Sequence, residues 1–306
     1  MKHMRPMFLF SAAALFIAVV LCPSHARAGS RGHFYAIGTG PAGPQTATLQ
    51  ALNTIMGMDV IIAAEKHTKL FKEYVGDKPV AFDPWQGLFA YNEKQQWELN
   101  KDELAKFEVE RFRIRDQRVT RIKEMLSEGK KVGLLDSGNP CLYGPSHWYV
   151  EQLDAQDVTI IPGMGCDAAA MAALGKSTIP AHDAHFVVQT SPFSLMRWGA
   201  KEHQALKDLA KYPSTMVMYM ALWQSDKVFQ ALGEVFPPDM PCSVVYWAGH
   251  PERERTLSGT VGDMGAKVAQ EKEKFMGLLF LGRFLEGRPY ESAIKRHHTE
   301  LSQAAQ

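Results

Sequence analysis

Between His33 and Leu52 the chain reads HFYAIGTGPAGPQTATLQAL. Gly38, Gly40 and Gly43 give G-x-G-x-x-G, the spacing of a loop that brings backbone close to a bound nucleotide. Two prolines change what such a loop can hold. Pro44 fits the first position of a helix, but Pro41 takes an N–H donor out of the loop itself. A diphosphate needs those donors, and no clean acid ends the next strand, since Glu65 is followed by Lys66. The loop therefore suits a neutral or cationic adenosyl ligand better than a dinucleotide. A tight strand–helix turn with no ligand is the structural alternative.

A second concentration of chemistry is RFRIRDQRVTRIKEML, with five arginines between residues 111 and 121. Phe112, Val119, Ile122 and Leu126 make the apolar stripe of a helix. Arg115 falls inside that stripe, and Arg111 and Arg118 flank it. A cation there needs a partner. Glu108 or Asp116 would make it structural; the carboxylates of a bound substrate, which arginine grips bidentately, would make it functional. The segment YGPSHWY offers Tyr143 as a donor to a substrate oxygen. His147 at the start of a helix there can accept a proton, ligate a metal or simply bond the helix start. HPERERTLSGT and KRHH read as surface.

These residues need elements to carry them. Up to Gly175, β-branched and aromatic runs (HFYAIGTG, DVIIAAEK, KKVGLLDSG, VTIIPG) alternate with helical patterns, which calls for a parallel sheet with crossover helices. The helix over 101–129 is long and charged, with room for one break. WYVEQLDAQD reads as helix and CDAAAMAALG as an alanine-rich one. Beyond, AHFVVQTS, TMVMYMALW, CSVVYWAGH, RERTLSGTVGDM and FMGLLFLGRFL read as strands or strand-turns, with helices at GAKEHQALKDLAKY and QSDKVFQALGEVF. The fold class is α/β in two domains, 33–162 and 163–290, and the polar tail 291–306 reads as a fraying end.

Composition narrows the function classes. At 306 residues and 46% hydrophobic content the chain can bury a large core. A net charge of +1 gives no general attraction for nucleic acid. Lys2 and Arg5, the apolar run MFLFSAAALFIAVVLC and the small-x-small triplet ending at Ala28 make residues 1–28 a signal peptide, so the protein is expected to be exported, to a periplasm after cleavage. A membrane anchor that keeps this helix is the rival. Cys141, Cys166 and Cys242 then remain, with no C-x-x-C, so neither a disulfide framework nor a zinc site is expected.

Six segments, taken in order, resemble the tetrapyrrole methylase family of S-adenosylmethionine-dependent enzymes. AIGTGPAGPQTATLQAL is similar to its V-G-x-G-P-G-D-P opening, GKKVGLLDSGNPCLYG to its S-G-D-P-x-x-Y-G block, and VTIIPGMGCDAAAMAALG to its P-G-x-S-S block. TMVMYMAL, CSVVYWAGHPERERTLSGTVGDM and GLLFLGRFLEG resemble the three later blocks, so the likeness runs from Phe34 to Gly287. It implies two α/β domains with S-adenosyl-L-methionine in the cleft between them, a homodimer, and methyl transfer to a uroporphyrinogen- or precorrin-like tetrapyrrole. The cofactor positions it implies are Pro41, Gly138, Asn139, Pro140, Cys166, Met220 and Ala248, with Gly259 and Thr260 closing the pocket. The substrate candidates are Arg111, Arg115, Arg118, Tyr143 and His147.

Two departures stand out. Asn139 replaces the family's aspartate in G-D-P, and the first loop reads G-P-A-G, so two acids are missing near a cationic cofactor; Asp136 or Glu65 would have to supply the charge. P-S-H also resembles an amide N-methyltransferase branch of the same fold, in which Arg111 has a counterpart but Arg115 stands where that branch has a tyrosine. Because the methyl donor is made in the cytoplasm, an export signal keeps a third reading open, an exported binding protein that keeps the fold without turnover.

Overall fold

The computed structural model describes residues 31–179, 186–192, 200–287 and 289–304. The leader read from the sequence lies outside them, and no helix among the described residues is long and apolar enough to cross a membrane.

The first half runs β1 (His33–Gly38), α1 (Leu49–Met56), β2 (Val60–Ile62), α2 (Glu65–Leu70), α3 (Lys72–Val75), β3 (Ala90–Tyr91), β4 (Lys94–Gln95), α4 (Lys101–Ser127), β5 (Lys131–Asp136), α5 (His147–Val150) and β6 (Val158–Ile161). Strands β2, β5, β1 and β6 form a parallel sheet in that order. Side chains alternate between its faces. Phe34, Ala36, Val132 and Leu134 point into one core layer with Val119, Ile122 and Leu126 of α4. Ile37, Ile61 and Leu135 point into the other, with Ala51, Leu52 and Ile55 of α1. Burial on both faces explains why these strands read as near-continuous apolar runs. Helix α4 is unbroken through its 27 residues. It holds no glycine or proline, and a capping box fixes its start. Asn100 Oδ1 accepts the Glu103 N–H at 2.9 Å, and Glu103 Oε2 accepts the Asn100 N–H at 3.0 Å.

The second half adds α6 (Cys166–Leu174), β7 (Phe186–Thr190), α7 (Ala200–Leu209), β8 (Ser214–Met218), α8 (Ser225–Val235), β9 (Pro241–Tyr246), β10 (Arg255–Thr260), α9 (Val261–Ala269), β11 (Gly277–Leu281) and α10 (Pro289–Ala304). Strand order is β10-β9-β11-β8-β7, with only the β7–β8 pair parallel. One face packs on α8 and α9 through Phe229, Leu232, Met264 and Val268. The other packs on α6 through Ala169, Ala170 and Met171.

Three elements differ from the sequence reading. The segment VGDMGAKVA is helix α9, because a Thr260–Asp263 capping box turns the strand RTLSGT into a helix start. The α5 helix has four residues rather than ten. Most of the stretch 291–306, read as a fraying tail, lies in α10.

The loops after β1, β5 and β6 emerge on the same edge of the parallel sheet, and they touch backbone to backbone. Gly138 donates to the Gly40 carbonyl at 2.9 Å, and Gly40 donates back at 3.3 Å. A Cβ on Gly163 would lie 2.1 Å from the Gly138 carbonyl oxygen and 2.6 Å from Gly38 C. Gly163→Ala is therefore expected to destabilise the protein by about 3 kcal/mol or more, since backbone has nowhere to go. Gly175→Ala, at the left-handed end of α6 with open space around it, is expected to lose only about 1 kcal/mol. Urea unfolding of the two variants measures the contrast.

Candidate functional site

In open parallel sheets the place for a ligand is the crevice outside the carboxyl ends of the strands. Here that edge carries the crossing loops, and the ends of β8 and β9 face it. Between them lies a cavity of about 260 Å³. Pro41, Gly138 and Asn139 contribute from the first half; Cys166, Met220 and Ala248 contribute from the second. Tyr143 lines it too, its ring 5.1 Å from that of Tyr219. Pro140 does not line it. Its ring packs under the loop, where a Cβ on Gly38 would meet Pro140 Cδ at 2.6 Å.

Backbone strain concentrates here. Among the described residues five non-glycines have positive φ, and three of them, Tyr143 (55°), Met220 (56°) and Trp247 (52°), line this one cavity. The other two, Asn92 and Glu93, make the β3–β4 turn. Left-handed non-glycine residues are held by their surroundings and gather at ligand sites. Another cavity, of about 310 Å³, lies around Ser214 and Leu281 at the far end of the mixed sheet and has no such feature.

Pro41 serves as a wall. The loop after β9 comes down on it: a Cβ on Gly249 would stand 3.4 Å from Pro41 Cγ and 3.3 Å from Thr46 Cγ2. Arg253 stacks on Trp247, with its guanidinium carbon 3.1 Å from the ring centre, and holds that loop's indole in place.

Behind the first two loops sits a group the sequence did not single out. His67 is buried, and its Nε2 lies 3.1 Å from Thr39 Oγ1 and 3.4 Å from Ser137 Oγ. Thr39 spends its own proton on the Asp136 carbonyl oxygen at 2.8 Å, so the imidazole is the donor. Burial first, and the nearby Lys66 charge second, push its pKa down to about 4. Neutral His67 thus ties the loop after β1 to the loop after β5.

Several sequence candidates lie elsewhere. Gly259 and Thr260 do not line the cavity. They pair with Cys242 and Pro241 at the start of β9, the opposite end from Ala248, and Thr260 caps α9. Of the two acids considered as replacement charge, Glu65 is exposed and paired with Lys69 at 2.6 Å. Asp136 is buried, with its carboxylate accepting the Ser146 N–H at 3.1 Å and its pKa raised by burial.

The arginines find partners within the chain. Arg111 stacks on Trp148 at 4.7 Å, with its Nε 3.0 Å from Glu108 Oε2 but off the hydrogen-bond line. Arg115 stacks on Phe112 at 4.8 Å and pairs with Asp116 at 2.8 Å. Arg118 donates to the carbonyls of Pro84 and Gln86 and pins their loop. His147 Nδ1 stands 3.7 Å from Glu151 Oε1, and the ring is outside the cavity lining. Glu108 and Asp116 were the structural partners expected from sequence.

Residues 33–265 match the family model of Tetrapyrrole (Corrin/Porphyrin) Methylases, three quarters of the chain. The chain belongs to this family. It is 29% identical over 257 residues to the cobalt-precorrin-4 C(11)-methyltransferase of Methanocaldococcus jannaschii, covering 83% of this chain and 88% of that one. The fold superposes on the X-ray structure of a cobalt precorrin-4 methyltransferase, a cobalamin biosynthetic enzyme, with a TM-score of 0.64 at 22% identity, covering 85% of this chain and 98% of the other. The Thermus thermophilus uroporphyrin-III C-methyltransferase complexed with S-adenosyl homocysteine has a TM-score of 0.54 at 19% identity, over 83% and 99% of the two chains. The α/β fold read from the six sequence blocks is the fold of these tetrapyrrole methylases.

The His67 geometry makes stability depend on pH. The folded pKa of about 4 lies below the ordinary 6.5, so between these values the unfolded chain binds the extra proton. This contribution is complete above pH 6.5 and is lost as pH falls towards 4, by roughly 3 kcal/mol in all. His67→Gln, which keeps a donor but no titrating group, is expected to flatten that part of the curve in denaturation measured at stepped pH.

Proposed function

We propose that the protein is an S-adenosylmethionine-dependent methyltransferase that methylates a carbon of a uroporphyrinogen- or precorrin-like tetrapyrrole. The observation that carries this reading is the cavity at the carboxyl edge of the sheet, walled by Pro41 and shaped by three left-handed residues. The named activities of the relatives point the same way. The cavity fits the cofactor's chemistry: its lining is mostly apolar, its polar groups are few, and the Tyr219 hydroxyl is buried there beside Asp167. Pro41 and the crossing glycines offer close backbone walls instead of a nest of N–H donors, which suits an adenosyl thioether better than a diphosphate.

The cofactor, when bound, supplies a methyl group on a sulfonium. The chain's part is to hold the electron-rich pyrrole carbon in line with that methyl and to keep water out. Such a carbon needs no strong base, which agrees with a cavity lined by no aspartate, glutamate or lysine among the described residues. Pro41, Gly138, Asn139, Cys166, Met220 and Ala248 would wall the cofactor, and Tyr143 at the mouth would face substrate. Arg111 and Arg115, held on Trp148 and Phe112 outside the cavity lining, would have to exchange Glu108 and Asp116 for substrate carboxylates. The reading also includes export through residues 1–28 and a homodimer, to be tested by cell fractionation and by light scattering. An amide N-methyltransferase is disfavoured because Arg115 is stacked and ion-paired where a phenol is needed.

Calorimetric titration is expected to show S-adenosylmethionine and S-adenosylhomocysteine binding at roughly micromolar Kd. Met220→Arg puts a long cation into the cavity and should weaken S-adenosylmethionine by about a hundredfold or more, near 3 kcal/mol. A folded protein that binds neither compound refutes the reading. Incubation with uroporphyrinogen and S-adenosylmethionine, followed by mass spectrometry for added methyl groups, then tests the substrate.

A further inference from the structure

No aspartate, glutamate, lysine or arginine lines the cavity among the described residues. A sulfonium that enters such a site gives up hydration and gains no direct counter-charge. Four acids stand just outside the lining. Glu254 is spent on the Gly249 N–H at 2.6 Å. Glu273 accepts the Phe275 and Met276 N–H groups at 2.9 and 3.0 Å, and the Arg253 charge offsets it. Asp136 faces Ser146 behind β5.

Asp167 is different. Its carboxylate accepts from a neutral group, the Gln189 Nε2 at 3.2 Å, and no ion pair among the described residues includes it. It lies at the start of α6, directly after Cys166, and its carboxylate folds back over the cavity wall: a Cβ on Gly165 would meet Asp167 Oδ1 at 2.1 Å. Beside it is Tyr219, only 6% exposed, whose hydroxyl feels this carboxylate and has no other partner among the described residues. The carboxylate's field reaches the cavity wall. After burial, Asp167 is the next cause that holds the Cys166 thiol up, at about 11, and it also holds the Tyr219 phenol up.

We propose that Asp167, behind Gly165 and against the Tyr219 hydroxyl, is the specificity-determining charge that lets the cavity favour the cationic methyl donor over its neutral product. The inference rests on the S-adenosylmethionine reading above. It accounts for a neutral lining: the charge acts through the wall at short range, without a carboxylate in contact with the reactive methyl. Once the methyl has left, sulfur is a neutral thioether and the attraction is gone, so the product is held less tightly than the donor. Asp167 is a positioning charge and takes no part in the chemistry. The Asn139 position, which lines the cavity without charge, needs no acid of its own.

The test compares two ligands on the full-length chain. In calorimetry Asp167→Asn is expected to weaken S-adenosylmethionine about fivefold while S-adenosylhomocysteine stays within about twofold; Asp167→Glu is expected to restore the difference. In the wild type the ratio of the two affinities is expected to fall as salt is raised from about 0.05 to 0.5 M, a measurement that stands even if a variant fails to fold. Equal weakening of both ligands in Asp167→Asn, or a wild-type ratio that ignores salt, overturns the proposal while leaving the methyltransferase reading intact. A wild type that binds neither ligand overturns both.

Discussion

Three neighbouring strands of one parallel sheet deliver their loops to the same point, at a separation only glycine backbones allow. Gly38, Gly138 and Gly163 stand within van der Waals contact of one another's main chain, and paired N–H···O bonds lock Gly40 to Gly138. Much else follows from that crossing. It fixes where Pro41 and Asn139 stand, it sets the direction in which α6 leaves the sheet, and it leaves a concave edge for the ends of β8 and β9 to cover. His67 backs the crossing from inside, donating to Thr39 and thereby bonding two loops through one buried, neutral ring. Side-chain packing alone rarely gives such precision, because side chains can change rotamer and a backbone crossing cannot slide.

The second half contributes shape more than charge. Met220 and Trp247 leave their strands in left-handed conformation, which turns the backbone across the cavity instead of past it. The Arg253 stack on Trp247 shapes the loop after β9, and the approach of Gly249 to Pro41 and Thr46 brings the two halves together at that rim. The resulting site is apolar, narrow and free of formal charge at its surface, with acids placed one layer back. This arrangement suits a reaction in which a sulfonium becomes a thioether, since a cavity that gripped the cation directly would also slow the transfer.

Much of this was legible in the sequence. The G-T-G-P, S-G-N-P and P-G-M-G segments each combine glycine with a strand end, and the structure brings all three together. Six of the nine cofactor positions inferred by resemblance line the cavity, because motif spacing fixes the loop ends. Gly259 and Thr260 stand away from this cavity for a local reason. Thr260 ends β10 and, with Asp263, caps α9 beside the start of β9, the opposite end from Ala248. His67 and Tyr219 were invisible, since what singles them out is burial, one beneath Thr39 and the other beside Asp167, and burial depends on contacts distant in sequence. The arginines of α4 show the converse: their spacing was plain, but only the structure shows Trp148, Phe112, Glu108 and Asp116 around them.

The most direct test of the central claim is a crystal structure of the chain with S-adenosylhomocysteine. The account predicts the ligand in the cavity bounded by Pro41, Gly138, Tyr143, Met220 and Trp247, with the crossing loops unmoved. Density for the ligand elsewhere, or a cavity left empty at saturating ligand, would contradict it.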